Sequence, residues 1–445
     1  MKLKRLTLKN FRCFDEFDIE LHDQLTVLIA PNGAGKTTVL DAIAVVLSSY
    51  VGAFDLGKAH GFTATDARYA LIAEGGPVPE QQYPVEVSLT FSTPALENQR
   101  RQLTGPKNRT TIKDVSALIE HGKQLMGTVR EQDVELPVIA YYATGRLWKQ
   151  HKLMERKKIT SASRSLGYED CLSSASSYLQ MQVWMKSATF AALQEQQMPD
   201  AYPAQSISKQ LKAVKYAVEK VLSHTGWFNF HYSINHDELA MQHTDRGILP
   251  VGLLSDGVRA MVSMTADLAW RCVKLNSARA EQAPECTHGI VLIDEVDMHL
   301  HPEWQQHVVQ ALTGVFKQVQ FILTTHSPQV LTTVANNSIR ILSTEHRDGQ
   351  KHYTARQPEN QSRGVASNAL LAELQHTNPV PDVPESRWLS EYKALIVQNL
   401  SDSMEGENLK QKILDHFGSN HPEWRECERL IRLQTMKARL PPKAT

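Results

Sequence analysis

The sequence predicts an α/β fold with antiparallel N-terminal strands, a helical insertion and a helical C-terminal tail, and three runs of residues point to its α/β core. Residues 25–30 are a short apolar, β-branched run that breaks into Pro31-Asn32-Gly33-Ala34-Gly35, after which residues 36–47 have helical composition. Far downstream, Ile290-Val291-Leu292-Ile293 is apolar without alternation, the pattern of a strand covered on both faces, and it ends in Asp294 and Glu295. Residues 320–324 form a third such run, ending in Thr324-Thr325-His326-Ser327-Pro328.

The other elements are arranged around these runs. Residues 3–9 and 16–21 alternate with period two about a turn-like Asn10-Phe11-Arg12-Cys13-Phe14, which predicts an antiparallel pair. Residues 85–91, 137–142, 228–234 and 339–343 are further strand candidates. Between residues 168 and 224 the pattern turns helical, with Leu211, Val214, Ala217, Val218 and Val221 at three-to-four spacing. The tail after Glu345 reads as helical again, through Leu370, Leu371 and Leu374 and later Leu409, Ile413, Leu414 and Phe417, with Pro379, Pro381, Pro384 and Gly418 as breaks. This gives an N-terminal lobe over 1–150, a helical insertion over 151–225, a C-terminal lobe over 226–345, and a helical tail over 346–445 that would contact a partner or a second copy.

Composition narrows the class. The 445 residues hold 48 Lys plus Arg and 48 Asp plus Glu, so no global charge marks a nucleic-acid coat or a membrane-surface protein. Basic surface must be local, and the segment 146–164 is the candidate for a DNA or RNA contact. There Arg146, Lys149, Lys152, Arg156, Lys157, Lys158 and Arg164 face only Glu155, with Trp148 among them. Arg100, Arg101, Lys107, Arg109 and Lys113 make a second cluster. The five cysteines lie far apart with no metal-ligand spacing, which fits reduced thiols and excludes a disulfide scaffold. The N-terminus lacks an export signal and Asp41 interrupts the longest apolar stretch, so a cytoplasmic protein without a membrane contact is expected.

The chemistry concentrates in four motifs. Residues 30–38, Ala-Pro-Asn-Gly-Ala-Gly-Lys-Thr-Thr, match the P-loop pattern except that Ala30 replaces the first glycine. Asn32, Gly33, Ala34, Gly35, Lys36, Thr37 and Thr38 would cradle the phosphates of ATP, with Lys36 on the β and γ phosphates and Thr37 on Mg²⁺. Asp294 would be the second Mg²⁺ ligand, and Glu295 would orient or deprotonate the attacking water. His326, at a strand end beside the phosphates, would contact the γ phosphate. Leu254-Ser255-Asp256-Gly257 opens an apolar-periodic helix, and the Ser255 hydroxyl and Gly257 N–H there form another anion site.

In this order the motifs, with Asn10-Phe11-Arg12 on the first strand, resemble the ABC-type ATPases of the SMC and RecF group. The resemblance covers residues 1–50 and 245–345. It makes residues 254–257 the signature motif, Asp297 the D-loop and His326 the switch histidine, and it implies ATP sandwiched between two subunits, hence a dimer or higher oligomer. The Q-loop glutamine has no evident match, although residues 137–146 lie near its place. Tyr141-Tyr142-Ala143-Thr144-Gly145-Arg146-Leu147-Trp148, residues 163–168, Trp184-Met185-Lys186 and residues 364–368 are similar to the ATPase subunit of Septu antiviral systems, which also occurs beside retrons. That kinship implies a regulated, slow ATPase controlling a separate HNH-type nuclease. The alternative in the same fold is a DNA repair or recombination ATPase without a nuclease partner. Residues 346–445 carry no Asp-x-Asp of a Toprim nuclease, and His299-Leu300-His301 reads as loop structure rather than as metal ligands.

Overall fold

The computed structural model describes residues 1–70, 78–147, 163–173, 178–204, 206–347 and 350–438. The chain divides into two compact units, Met1–Leu370 and Leu371–Thr445.

The first unit opens with β1 (Leu3–Phe11) and β2 (Phe14–Glu20), the expected antiparallel pair, with Leu6 opposite Ile19 and Leu8 opposite Phe17. β3 (Leu25–Ile29) leads into α1 (Lys36–Val51). β4 (Val85–Phe91) buries Val85, Val87, Leu89 and Phe91 on one face, as its alternation requires, and pairs with β1. β5 (Asn98–Leu103) adds the fourth strand of this antiparallel sheet, in the order β2-β1-β4-β5. α1 is buried along most of its length because it packs on β4 and β5 on one side and on the parallel sheet on the other.

α2 (Ser116–Thr128) leads to β6 (Val138–Tyr142), α3 (Leu179–Gln197) and α4 (Ser206–Val221). Leu211, Val214, Ala217, Val218 and Val221 of α4 are all buried, so the periodicity marks a packed face. β7 (Trp227–Ser233), β8 (Glu238–His243) and β9 (Gly247–Pro250) form an antiparallel meander before α5 (Asp256–Leu275). β10 (Gly289–Ile293), α6 (Val308–Val315), β11 (Val319–Thr324), β12 (Ile339–Arg347) and β13 (Gln350–Arg356) follow.

Among the described residues the main sheet runs β13-β12-β3-β11-β10-β6, parallel except for the edge strand β13. Strands from the expected N-terminal and C-terminal lobes therefore interleave in one sheet. Every residue of β6, β10 and β11 is buried, which accounts for their lack of alternation. Residues 350–356, expected within the helical tail, instead form β13. Its Tyr353 packs edge-on against Phe14, with ring centroids 4.9 Å apart, so this strand is fixed by a contact with β2 that local periodicity does not reveal.

α7 (Ser367–Gln375) spans the boundary between the units. The second unit packs α8 (Pro384–Val397), α9 (Met404–Phe417) and α10 (Pro422–Ala438) around Tyr392, Ile396, Leu409, Ile413, Trp424 and Cys427. The Tyr392 and Trp424 rings stack at 6.1 Å.

Candidate active site

β3, β11 and β10 are neighbours in register, with Ile322 beside both Thr26 and Leu292. Three loops therefore leave the same edge of the sheet: residues 30–35 after β3, residues 325–327 after β11, and Asp294-Glu295 after β10. The C-terminal edge of an open parallel sheet is where such folds bind ligands.

Gly35 precedes α1 with φ 92°, and a Cβ there would lie 2.4 Å from the Phe14 ring. Left-handed backbone and the aromatic floor both demand glycine. Lys36 folds back over the loop and donates from Nζ to the carbonyl oxygens of Ala30 at 2.9 Å and Pro31 at 3.3 Å. Because the first position of the motif is used through its backbone oxygen, alanine serves there as well as glycine. Burial lowers the Lys36 pKa below its ordinary value, against the opposing pull of Asp294, Glu295 and Asp297. Asn32 and Gly33 are exposed at the lip of the loop, while Ala34 is buried beneath it and Thr38 is half-buried.

Thr37 Oγ1 donates to Asp294 Oδ2 at 2.8 Å, and Thr324 Oγ1 donates to Asp294 Oδ1 at 2.6 Å. Asp294 is 1% exposed, so its carboxylate is held from both sides at the strand end. A hydroxyl and a carboxylate in contact are hard oxygen donors suited to Mg²⁺. Glu295 adopts φ 47°, a costly conformation for a residue with a side chain, and its N–H donates to Thr324 Oγ1 at 2.7 Å. Thr325 Oγ1 donates to the Asp297 carboxylate, tying the loop after β11 to the loop after Glu295. His326 is half-buried; burial first, and then the Lys36 charge, hold its pKa below the ordinary histidine value.

Ser255 and Gly257 stand apart from this cluster: among the described residues no hydrogen bond joins them to the P-loop. Ser255 is the N-cap of α5 but its hydroxyl makes no capping bond, and it is exposed. Gly257 is buried, and a Cβ there would meet the His299 carbonyl oxygen at 2.3 Å. Residues 254–257 thus pack on the loop that follows Glu295.

A cavity of about 1050 Å³ opens beside Thr37, lined among others by Arg12, Asp41, His60, Asp66, Tyr141 and Thr144. Arg12 bridges Asp41 at 2.5 Å and Asp66 at 2.9 Å, and Tyr141 donates to Asp41 at 2.8 Å. Sequence reasoning noted Arg12 only as part of a motif and missed Asp41 and Asp66. One signal for Asp41 was available: it lies four residues after Thr37, on the same face of α1. Asp66 is brought in by a bridge between Phe11 and Ala67, which no local pattern announces.

The basic segment 146–164 lies largely outside the described residues. Arg164 is committed within the fold, donating to Leu275 O at 2.7 Å and to Val134 O and lying 3.6 Å from Asp133. The second basic cluster does not form one face, since Arg100 pairs with Asp114 at 2.7 Å and Arg101 is 4% exposed. Among the described residues no group of three or more His, Cys, Asp or Glu is placed to hold a metal, and no helix is long and apolar enough to cross a membrane.

A family model described as an AAA domain matches residues 5–223, and a second AAA domain model matches residues 188–332. The chain is 24% identical over 460 aligned positions to the "Retron Vc95 probable ATPase" of Vibrio cholerae serotype O1 biovar El Tor, covering 94% of this chain and 88% of that one. It is 34% identical over 112 positions to a Septu protein PtuA of Bacillus mycoides, covering 25% of this chain and 15% of the relative. A solved SMC head bound to the C-terminal winged-helix domain of ScpA aligns with TM-score 0.46 and 16% identity over 81% of this chain and 99% of that one. With a P-loop, paired carboxylates and a histidine gathered on one sheet edge and a retron relative of nearly equal extent, the chain is an ATPase that resembles those of retron and Septu systems.

Proposed function

We propose that this ATPase is the sensor or regulatory subunit of a bacterial anti-phage defence complex and that its nucleotide state controls a separate HNH-type nuclease. The observation that carries the ATPase part is the bond between Thr37 and Asp294, which joins the P-loop to the carboxylate strand. The likeness to retron and Septu ATPases supports the defence role, and the Septu resemblance supports the nuclease partner.

The residues divide the work. Asn32, Gly33, Ala34, Gly35 and Thr38 present backbone and hydroxyl donors to the phosphates. Lys36 leaves the Ala30 and Pro31 carbonyls for the β and γ phosphates, an exchange that replaces neutral acceptors by anionic ones. Thr37 and Asp294 would hold Mg²⁺, which when bound neutralises developing phosphate charge. Glu295 takes a proton from, or orients, the attacking water, and His326 donates to the γ phosphate. The cavity lined by Arg12, Asp41, Asp66 and His60 receives the ribose and base. Ser255 and Gly257 close on the γ phosphate bound by a second copy, which the exposed, uncapped Ser255 hydroxyl favours. The 371–445 unit is assigned to partner or oligomer contact; its Val397 and Met436 are 59% and 66% exposed.

The test is to purify the chain with an HNH nuclease encoded beside its gene and to measure DNA cleavage with and without ATP, in wild type and in Glu295→Gln. Cleavage that changes with nucleotide and is locked in one state by Glu295→Gln is expected. Hydrolysis stimulated by DNA ends or gaps, with no nuclease bound, would transfer the protein to the repair class.

A further inference from the structure

Behind one wall of the large cavity lies a cation that the catalytic residues do not use. Arg101 sits on β5 at the edge of the antiparallel sheet, yet it points inward and is 4% exposed. Among the described residues no carboxylate pairs with it. Its guanidinium instead donates to backbone and hydroxyl oxygens: Val45 O at 2.8 Å, Ser48 Oγ at 3.3 Å, Thr111 O at 3.5 Å, and the His60 carbonyl. Burial alone pulls its pKa down to about 10. A buried charge without a counter-charge is costly, and an apolar side chain of similar size would fill the same space more cheaply. The placement therefore calls for a reason beyond packing.

The reason lies in what Arg101 grips. Residues 57–63 have no regular secondary structure. Lys58, Ala59, His60, Gly61 and Thr63 from this strap line the cavity. The ends of the strap are held by Gly57 N–H on Phe54 O at 2.9 Å, Lys58 Nζ on Asp170 at 2.8 Å and Thr63 on the Asp66 carboxylate, and its middle by His60 N–H donating to Ser48 Oγ at 3.2 Å, Ser48 Oγ donating to His60 O at 2.8 Å and Phe62 N–H donating to Thr110 Oγ1 at 2.8 Å. Arg101 bonds the His60 carbonyl and the Val45 carbonyl of α1 together, so it clamps the strap to the helix that carries Thr37. The clamp lies about 12 Å along α1 from Thr37 at Val45 and about 16 Å at Ser48, on the side of the cavity away from the phosphate loop.

We infer that Arg101 is a positioning residue for ATP, holding the 57–63 strap against α1 so that the far wall of the nucleotide cavity is preformed for the nucleoside. The inference rests on reading this cavity as the nucleoside end of the ATP site. A mobile strap would have to be ordered by each incoming ATP, and that cost falls on binding rather than on the chemical step.

The test compares Arg101→Met, Arg101→Lys and Ser48→Ala in the full chain, with ATP and with inorganic tripolyphosphate as a competitor that needs the P-loop alone. Arg101→Met is expected to raise KM and Kd for ATP about tenfold, with kcat within about twofold and tripolyphosphate affinity unchanged. Arg101→Lys should recover most of the loss by keeping a donor on the His60 carbonyl. Ser48→Ala, which keeps a good helix former at an α1 position, should raise KM about threefold and keeps the question answerable if Arg101→Met fails to fold. Equal weakening of ATP and tripolyphosphate, or a fall in kcat at unchanged KM, would overturn the assignment. Lys36→Ala separates the two levels. If it loses both ligands while the strap variants bind ATP like wild type, only the Arg101 proposal fails; if it binds both ligands normally, the site reading fails and the proposal falls with it.

Discussion

The P-loop half of the site and the signature half are built from the same kinds of residue and end up in opposite conditions. Around Lys36 several groups are already engaged: the ammonium on two carbonyls, Thr37 on Asp294, Asp294 also on Thr324, and the Glu295 backbone on Thr324. At the start of α5, Ser255 is exposed and its hydroxyl caps nothing, although a serine at that position ordinarily satisfies an N–H of the first turn. One half is prearranged within the chain, while the other leaves its donors unspent. On the proposed reading the exposed Ser255 meets a phosphate bound by a second copy, and the close approach of Gly257 to the His299 carbonyl packs the start of α5 on the loop beyond Glu295.

The contrast can be broken most sharply at the prearranged half. Glu295→Gln should slow ATP hydrolysis by about a hundredfold or more while leaving ATP binding intact, the scale of a lost general base. Turnover at the wild-type rate would move the catalytic role to another group. Lys36→Ala should weaken ATP binding by roughly ten- to a hundredfold, the loss of about 1.5–3 kcal/mol for a charge-assisted hydrogen bond. Equilibrium binding to the folded variant checks this, and unchanged affinity would remove Lys36 from the site.

The unspent half is sharpened by mixing lesions. Gly257→Asp is a poor choice because any Cβ there drives into the His299 carbonyl of the same chain. Ser255→Arg places the lesion at an exposed position instead. Mixed with Lys36→Ala, it should restore roughly a quarter of wild-type activity, because half of randomly paired dimers are mixed and each holds one intact composite site. Exchange is first verified with differently tagged chains. Mixed dimers as inactive as their parents would mean that the two sites are obligatorily coupled or that Ser255 does not act in trans.

The smallest effect concerns pH. His60 and His326 both have pKa values held below 6.5, chiefly by burial. For such groups the unfolded chain binds more protons than the folded one between the two pKa values, so their contribution is complete above pH 6.5 and is lost as pH falls through the folded values. Thermal melts should therefore show stability falling below about pH 6.5, and His60→Gln should flatten that slope. A melting temperature independent of pH between 7 and 5 would contradict the assignment.

The sequence by itself determined the elements whose signal is local. The P-loop and its helix, the buried strands ending at Asp294 and Thr324, the amphipathic face of α4 and the alternation of β1 and β4 were legible because each is written in consecutive residues or one short period. The polar strand Asn98–Leu103 was not legible, since Asn-Gln-Arg-Arg-Gln-Leu carries no apolar alternation and Arg101 reads as surface charge until β4 and α1 enclose it. Nor was β13, which exists through pairing with β12 and contact with Phe14. Only the tertiary structure put Thr37 and Asp294 in direct hydrogen bond across 257 residues, set Asp66 on Arg12 and left Ser255 exposed. The physical reason is that sequence periodicity records which face of an element is buried, whereas the partner of a polar group is chosen by which strands become neighbours in the sheet. That order is settled by packing the whole unit at once.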